Sequence, residues 1–327
     1  YKGIDVVTGN LNERITGNRI IITKPTNPCG IYLRDNSTRY NDPILVDNNL
    51  IIISASGASS SMTGIYVDVA SNVKIVHNTI RLTATEAQSN STNWPLELKY
   101  GKDYLIQNNL IQNKAFDYAV VLQKLEKPTF VHNAYFTNGT VFARYKVQEG
   151  TKVNAKEAAT FADWTAYIGE EGSVNQEATF LSDETGALLG GGAFNCGLPY
   201  DGITTDITGA KRDSEHPTVG AFEFEDDTTL PLEIKSAFAI TQSTSAQIKL
   251  VATRNAKLHY SLKLSELEAP TAEELLAIEP KMVAKQEEIT LSFDNLLEAK
   301  SYTLYAVLEA VSEVKKTDLL EVLTFTT

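Results

Sequence analysis

The sequence predicts an all-β chain in two parts, a solenoid of short stacked strands followed by an antiparallel β-sandwich. Three observations carry this reading. An asparagine flanked by apolar residues returns about every thirty residues through the first 135. A small residue or proline followed by alternating apolar positions falls between those asparagines. The stretch 232–327 alternates strand-like runs with turns.

The asparagine pattern reads apolar, two residues, asparagine, any residue, apolar. Its copies lie at 15–20, 45–50, 75–80, 105–110 and 130–135. The asparagines are Asn18, Asn48, Asn78, Asn108 and Asn133, spaced 30, 30, 30 and 25 apart. Asparagine tolerates a left-handed backbone, and its amide can bond its counterpart one repeat away. One asparagine per repeat therefore predicts an internal ladder. The second pattern starts at Gly3, Gly30, Gly64, Pro95 and Ala119, with a degenerate copy at Thr140. Each unit then holds three strand-like segments separated by turns. A single unit cannot bury its apolar side, but a stack can.

Composition excludes several classes. The 327 residues carry 29 Lys and Arg against 41 Asp and Glu, a net charge of −12. A phosphate-neutralising surface needs a cationic patch, so nucleic acid is not the expected partner. No apolar run reaches the roughly 18 residues of a spanning helix. Two cysteines supply neither a disulfide framework nor a cysteine zinc site. The chain opens at Tyr1 inside a strand, without methionine or signal peptide, so further coils are expected upstream.

Beyond Thr137 the rhythm fades. Residues 154–168 are alanine-rich with Phe161, Trp164 and Ile168 at helical spacing, which predicts a helix packed on the solenoid. An acidic linker follows at 225–231. Strands are expected at 232–241, 245–252, 256–264, 287–293, 301–310 and 319–326. A short helix at 270–276 has Thr271 as cap and Glu274 completing a capping box.

Residues 1–145 resemble the right-handed parallel β-helix of pectate-lyase-like proteins, with the asparagine at the family's ladder turn. The run Thr205-Asp206-Ile207-Thr208-Gly209, with Arg212 and 218–223, resembles the closing segment of exported bacterial β-helix proteins called choice-of-anchor Q. Val219 and Phe222 stand where that family has isoleucine and tyrosine. Leu296 and Tyr302 resemble the tyrosine corner of fibronectin type III domains, with Glu298, Ala299 and Lys300 in place of Pro, Gly and Thr. These resemblances imply a β-helix with cap over 1–228, a sandwich over 229–327, and export to the cell surface or medium; a monomer is expected.

Strand alternation gives the candidate site. Ile31 and Leu33 must face the core, so Tyr32 and Arg34 face out. The outward columns are then Asp5, Tyr32, Tyr66, Glu97 and, beside them, Val7, Arg34, Asp68, Lys99, Gln123, Arg144. On the family template, loops at 23–29, 54–63 and 83–94 wall a polysaccharide groove over this sheet. Tyr32 and Tyr66 suit sugar stacking, and Asp5 and Arg144 join them as binding residues. Arg34 and Lys99 suit uronate carboxylates. For β-elimination, Lys99 or Arg34 is the base, with Asp68 and Glu97 able to hold Ca²⁺. For hydrolysis, Asp68 and Glu97 are the acid–base pair. The alternative is a non-catalytic adhesion or glycan-binding protein whose outward charges simply pair across strands. The family's Trp-Ile-Asp-His and Gly-His-Gly signatures are absent, and only Arg144-Tyr145-Lys146 matches an Arg-x-Lys element. His77 and His132 share a position before the ladder asparagine, with Asp47 and Gln107 assigned to the same column. That column is a polar turn face or a metal column. Cys29 and Cys196 are expected as buried thiols.

Overall fold

The computed structural model describes residues 1–7, 13–23, 26–34, 36–37, 43–55, 61–84, 92–123, 126–180, 188, 194–224, 229–311 and 314–327. Most of the two long loops (56–60 and 85–91), part of the first loop (24–25), part of the glycine-rich run (186–187 and 189–193) and linker residues 225–228 lie outside them. The described chain is all-β, with parallel and antiparallel sheets and two short helices. It divides into two compact units, Tyr1–Ala178 with Ala193–Phe224, and Thr179–Gly192 with Glu225–Thr327.

In the first unit the repeats stack in parallel. Ile4 pairs with Ile31, Ile31 with Ile65, Ile65 with Leu96, Leu96 with Val120, and Val120 with Ala143. A second parallel sheet aligns Ile20, Ile51, Ile80, Ile111 and Tyr135. Between the sheets lies one core, in which Ile31, Leu33, Ile51, Ile65, Ile80, Leu96 and Ile111 are wholly buried. The alternation is forced by the strand period of two. Small residues open the first strands because the backbone there lies against the opposite sheet. A Cβ on Gly64 would sit 2.3 Å from Ile80 Cγ2 and 2.4 Å from the Pro95 carbonyl.

The three-segment repeat is simplified in two places. Met62–Val76 and Asn93–Gln107 each run unbroken through the first two segments. Single left-handed residues, Asn72 in one and Gly101 and Asp103 in the other, turn the chain without ending its pairing.

The asparagine ladder exists, and two of its members are one residue later than predicted. Asn18 Nδ2 donates to Asn49 Oδ1 at 2.8 Å, Asn49 to Asn78 at 2.8 Å, Asn78 to Asn109 at 3.0 Å and Asn109 to Asn133 at 3.0 Å. Asn48 and Asn108 instead belong to the preceding column, with Gly17, His77 and His132, and all five have φ between 52° and 67°. Turning and bridging are thus split between two neighbouring positions. Where the sequence reads Asn-Asn, the first turns and the second bridges. Asp47 and Gln107 lie one position further back, paired to Val76 and Val131 rather than aligned with the histidines.

Glu170 ends the ladder. It accepts from Asn133 Nδ2 at 3.0 Å, the Tyr135 hydroxyl at 2.8 Å, Trp164 Nε1 at 2.9 Å and the Ser173 hydroxyl. Burial pushes this carboxyl up, while those donors oppose the shift. Trp164 itself is wholly buried edge-on to Phe130. Its helix is shorter than predicted, Phe161–Ile168, started by a reciprocal Thr160–Asp163 capping box. The residues before it, Lys152–Ala158, form a strand because they pair antiparallel with Ala143–Glu149. That pairing satisfies backbone groups that a helix would have satisfied internally.

Residues 194–224 lie along the left-handed turn column. Asp206 Oδ1 accepts the Thr208 and Ala210 amides at 2.7 and 2.9 Å, closing the Thr-Asp-Ile-Thr-Gly turn. Arg212 is buried and donates to Asn48 Oδ1 at 2.7 Å, the Thr218 and Gly220 carbonyls at 3.0 and 2.9 Å, and Glu223 Oε2 at 3.2 Å.

The second unit has a three-stranded antiparallel sheet, Ile234–Thr241, Ala246–Ala252 and Glu288–Phe293, and a four-stranded one, Lys281–Val283, Ala256–Leu264, Ser301–Ala310 and Leu320–Thr326. One core of Ile248, Leu250, Leu258, Leu291, Leu304 and Leu308 serves both sheets. The helix Ala272–Leu276 carries the predicted Thr271–Glu274 capping box. The Tyr302 hydroxyl accepts the Leu297 amide at 2.8 Å. Tyr302→Phe is expected to leave that amide without its partner and cost about 1 kcal/mol, read as a lower denaturant midpoint for this unit.

Candidate functional site

The outward face of the first parallel sheet gathers the predicted residues into one polar ribbon. Register places Asp5, Tyr32, Tyr66, Glu97, Val121 and Arg144 in a single column. Arg144 therefore sits two residues away from its predicted place beside Gln123. The degenerate repeat at 140–143 is slipped by two, which preserves the inward and outward alternation, so Ala143 is still buried and Arg144 still exposed.

The centre of the ribbon is a hydrogen-bonded set. Lys99 Nζ lies 3.1 Å from Asp68 Oδ1, and the Tyr32 hydroxyl donates to Asp68 Oδ2 at 3.2 Å. Tyr32 and Tyr66 stack on each other at 5.0 Å between centroids. Lys2, which the sequence reading passed over, places Nζ 3.7 Å from the Tyr32 centroid and 2.9 Å from Asp5. The Arg34 guanidinium lies 6.0 Å from the same ring. Tyr32 is only 8% exposed, with its ring against Tyr66 and Lys2. A sugar stacking on it has to displace Lys2. Alternation gave no signal for Lys2, because it pairs with Cys29 on the parity of Ile4 and Ile31, which is assigned to the inward face.

Electrostatics separate the roles assigned to these groups. Hydrogen bonds to Asp68 and Tyr66 push the Lys99 ammonium well above its usual range. A base for proton abstraction needs the opposite shift. Burial pushes the Tyr66 hydroxyl up to about 12. Glu97 is 6% exposed, and burial pushes its carboxyl from 4.5 to about 7, against the pull of the Gln123 amide and Lys99. Gln123 Nε2 donates directly to Glu97 Oε1.

A raised carboxyl destabilises the fold once it ionises. Its contribution is therefore most favourable below pH 4.5 and is lost as pH rises to about 7. Glu97→Gln is expected to remove about 2 kcal/mol of pH dependence from the first unit across that window, measured by denaturation at a series of pH values.

Asp68 and Glu97 do not make a calcium cage. Asp68 already serves Lys99 and Tyr32, and Glu97 serves Gln123, whereas Ca²⁺ takes six to eight oxygens. Among the described residues no three His, Cys, Asp or Glu converge as metal ligands. His77 is wholly buried, its Nε2 2.9 Å from Asn108 Nδ2, and burial holds it well below its usual range. His132 Nδ1 bonds the Cys196 carbonyl. The histidine column thus faces the closing segment. Burial pushes the Cys29 and Cys196 thiols up to about 12 and 11, which suppresses thiolate chemistry.

No family model matches the chain, and no curated protein matches it. No helix among the described residues is long and apolar enough to cross a membrane.

Proposed function

We propose that the chain is an exported bacterial protein whose first unit is a right-handed, pectate-lyase-like parallel β-helix that binds acidic polysaccharide. The residues 194–224 act as its cap, and the second unit is a fibronectin-III-like sandwich that serves as a spacer or adhesion module. The parallel stack, the asparagine ladder and the tyrosine-corner bond support the fold assignment. The observation that carries the function is the ribbon, where Lys2, Arg34 and Lys99 line a tyrosine column on one sheet face. With a net charge of −12, attraction of a polyanion has to rest on such local cations.

Binding without β-elimination is the reading favoured, because Lys99 is held as an ammonium. Glu97 favours hydrolysis as the second reading, since burial, with a smaller push from the Asp68 charge, raises its carboxyl to about 7. The test is incubation with a panel of uronate polymers, following binding, ultraviolet absorbance of unsaturated product, and reducing ends. Binding with neither product is the expected result. Reducing ends that vanish in Glu97→Gln establish the hydrolase, and unsaturated product establishes the lyase. No binding to any acidic polymer refutes the proposal.

A further inference from the structure

The closing segment docks on the stack over a buried histidine that lies outside the ribbon. His77 occupies the left-handed turn column between Asn48 and Asn108 and is wholly buried. Its Nε2 lies 2.9 Å from Asn108 Nδ2, and its Nδ1 makes no hydrogen bond among the described residues. Leu198 of the closing segment orients the Asn108 amide. The Leu198 N–H donates to Asn108 Oδ1 at 3.0 Å, and the Leu198 carbonyl accepts from Asn108 Nδ2 at 2.6 Å. Nδ2 is therefore the donor toward His77, and Nε2 has to be the acceptor. This fixes the docked ring as the neutral Nδ1–H tautomer.

A proton on Nε2 has no place in this arrangement. It would meet the Asn108 N–H across 2.9 Å, and turning the amide would break both bonds to Leu198. It would also add a positive charge beside the buried Arg212. The Thr218 and Gly220 carbonyls near the ring favour a cation, but both already accept from Arg212, at 3.0 and 2.9 Å. The acids around Arg212 are engaged. Glu223 pairs with Arg212 at 3.2 Å, Asp206 takes the Thr208, Ala210 and Glu223 amides, and Asp47 pairs with Arg14 at 2.9 Å. His132, in the same column, donates Nδ1–H to the Cys196 carbonyl, so a second proton leaves that bond in place. His216 is exposed. Of the histidines at this contact, only His77 takes a proton at the expense of docking.

We infer that His77 makes the docking of 194–224 an acid-sensitive latch, in which the neutral ring holds the segment on the stack and the protonated ring releases it. Gly220 and Ala221 lie against Leu110 and Thr79, so release uncovers that face of the second sheet. Burial and the Arg212 charge hold the docked imidazole well below its ordinary 6.5. Docking is therefore fully supported above 6.5, and the support is lost as pH falls below it. Burial shifts Glu97 and Glu170 in the stack upward, which works in the opposite direction, so acid does not loosen the repeats by the same route. Glu223, in the segment, is also shifted upward and offsets part of the His77 effect.

Hydrogen exchange on the intact chain between pH 7 and 5 tests the latch. The Leu198, Gly220 and Ala221 amides report docking, because they bond Asn108 Oδ1, the Asn108 carbonyl and Thr79 Oγ1. The Asn49 and Asn78 amides bond the next ladder asparagine and report the repeats. In Glu223→Gln, which removes the offset, protection of the three segment amides is expected to fall about tenfold per pH unit below 6.5, with the ladder amides unchanged. In Glu223→Gln/His77→Asn the fall is expected to vanish, since asparagine fills the same left-handed column at 48 and 108 and carries no proton. Should either variant fail to dock, the imidazole nitrogen resonances of the wild type decide. They are expected to show the Nδ1–H ring while the three amides are protected, and a protonated ring only where that protection is lost. Segment protection that is flat with pH, falls equally without His77, or falls together with the ladder amides overturns the latch. So does a His77 ring that takes its proton with the segment still docked.

Discussion

Asn78→Ala is expected to cost the first unit about 4 kcal/mol, while Asn18→Ala costs about 1. The difference follows from position on one ladder. Asn78 is wholly buried, and its Oδ1 accepts both the side-chain and the backbone N–H of Asn49, at 2.8 and 3.1 Å. Its Nδ2 donates to Asn109 Oδ1 at 3.0 Å and to the Val46 carbonyl at 2.8 Å. Truncation strands the two Asn49 donors and the Val46 carbonyl where water does not reach, at about 1 kcal/mol or more each, and leaves Asn109 Oδ1 with only the Asn78 backbone N–H at 3.0 Å. Asn18 ends the ladder and is partly exposed, so water replaces much of what its amide provides. Urea midpoints for the two variants, taken on the transition of the first unit, check this. Equal losses would show that the buried bridging of the ladder contributes nothing.

The comparison of these residues also shows how far the sequence could be read. The repeat was legible because burial imposes a period of two within a strand and a fixed length per repeat. That periodicity locates Ile31, Ile65 and Leu96 without ambiguity. It does not decide between Asn48 and Asn49, because both fit a turn and the choice depends on which side chain points along the stack. The same limit explains Arg144. A slip of two residues keeps the apolar pattern intact, so only backbone pairing fixes its column. The strand Lys152–Ala158 was hidden for a different reason. Its alanines and lysines favour a helix locally, and the pairing with Ala143–Glu149 overrides that preference.

The candidate site divides in the same way. Outward columns follow from alternation, so Tyr32, Tyr66, Glu97, Asp68 and Lys99 were found together. What alternation does not convey is occupancy. The ion pair that holds Lys99, the ring contacts of Tyr32 and the burial of Glu97 depend on side-chain direction and on neighbouring repeats. Those three facts argue against Lys99 as a base, and they leave Glu97 with a carboxyl raised to about 7.

Arg212→Ala is expected to be as damaging as the loss of Asn78, about 4 kcal/mol, and to act on the closing segment first. Arg212 is 4% exposed and bridges the left-handed Asn48 of the stack to Thr218, Gly220 and Glu223. Its removal leaves three buried oxygens without their donor and Glu223 as a half-buried carboxylate without its cation. Burial already pushes the Glu223 carboxyl up, with Arg212 and the Asp213 and Thr218 amides opposing the shift. Arg212→Ala/Glu223→Gln should therefore recover part of the loss, since the uncompensated charge is gone while the missing donors are not. Arg212→Lys keeps the charge but not the planar fork that reaches several acceptors at once, so it should fall between wild type and alanine. Limited proteolysis gives the spatial test. Cleavage confined to 194–224, with the repeats left intact, identifies Arg212 as the tether between that segment and the stack. Cleavage spread through the repeats would mean instead that segment and stack unfold as one unit, and that Asn48 is held by the closing segment as much as it holds it.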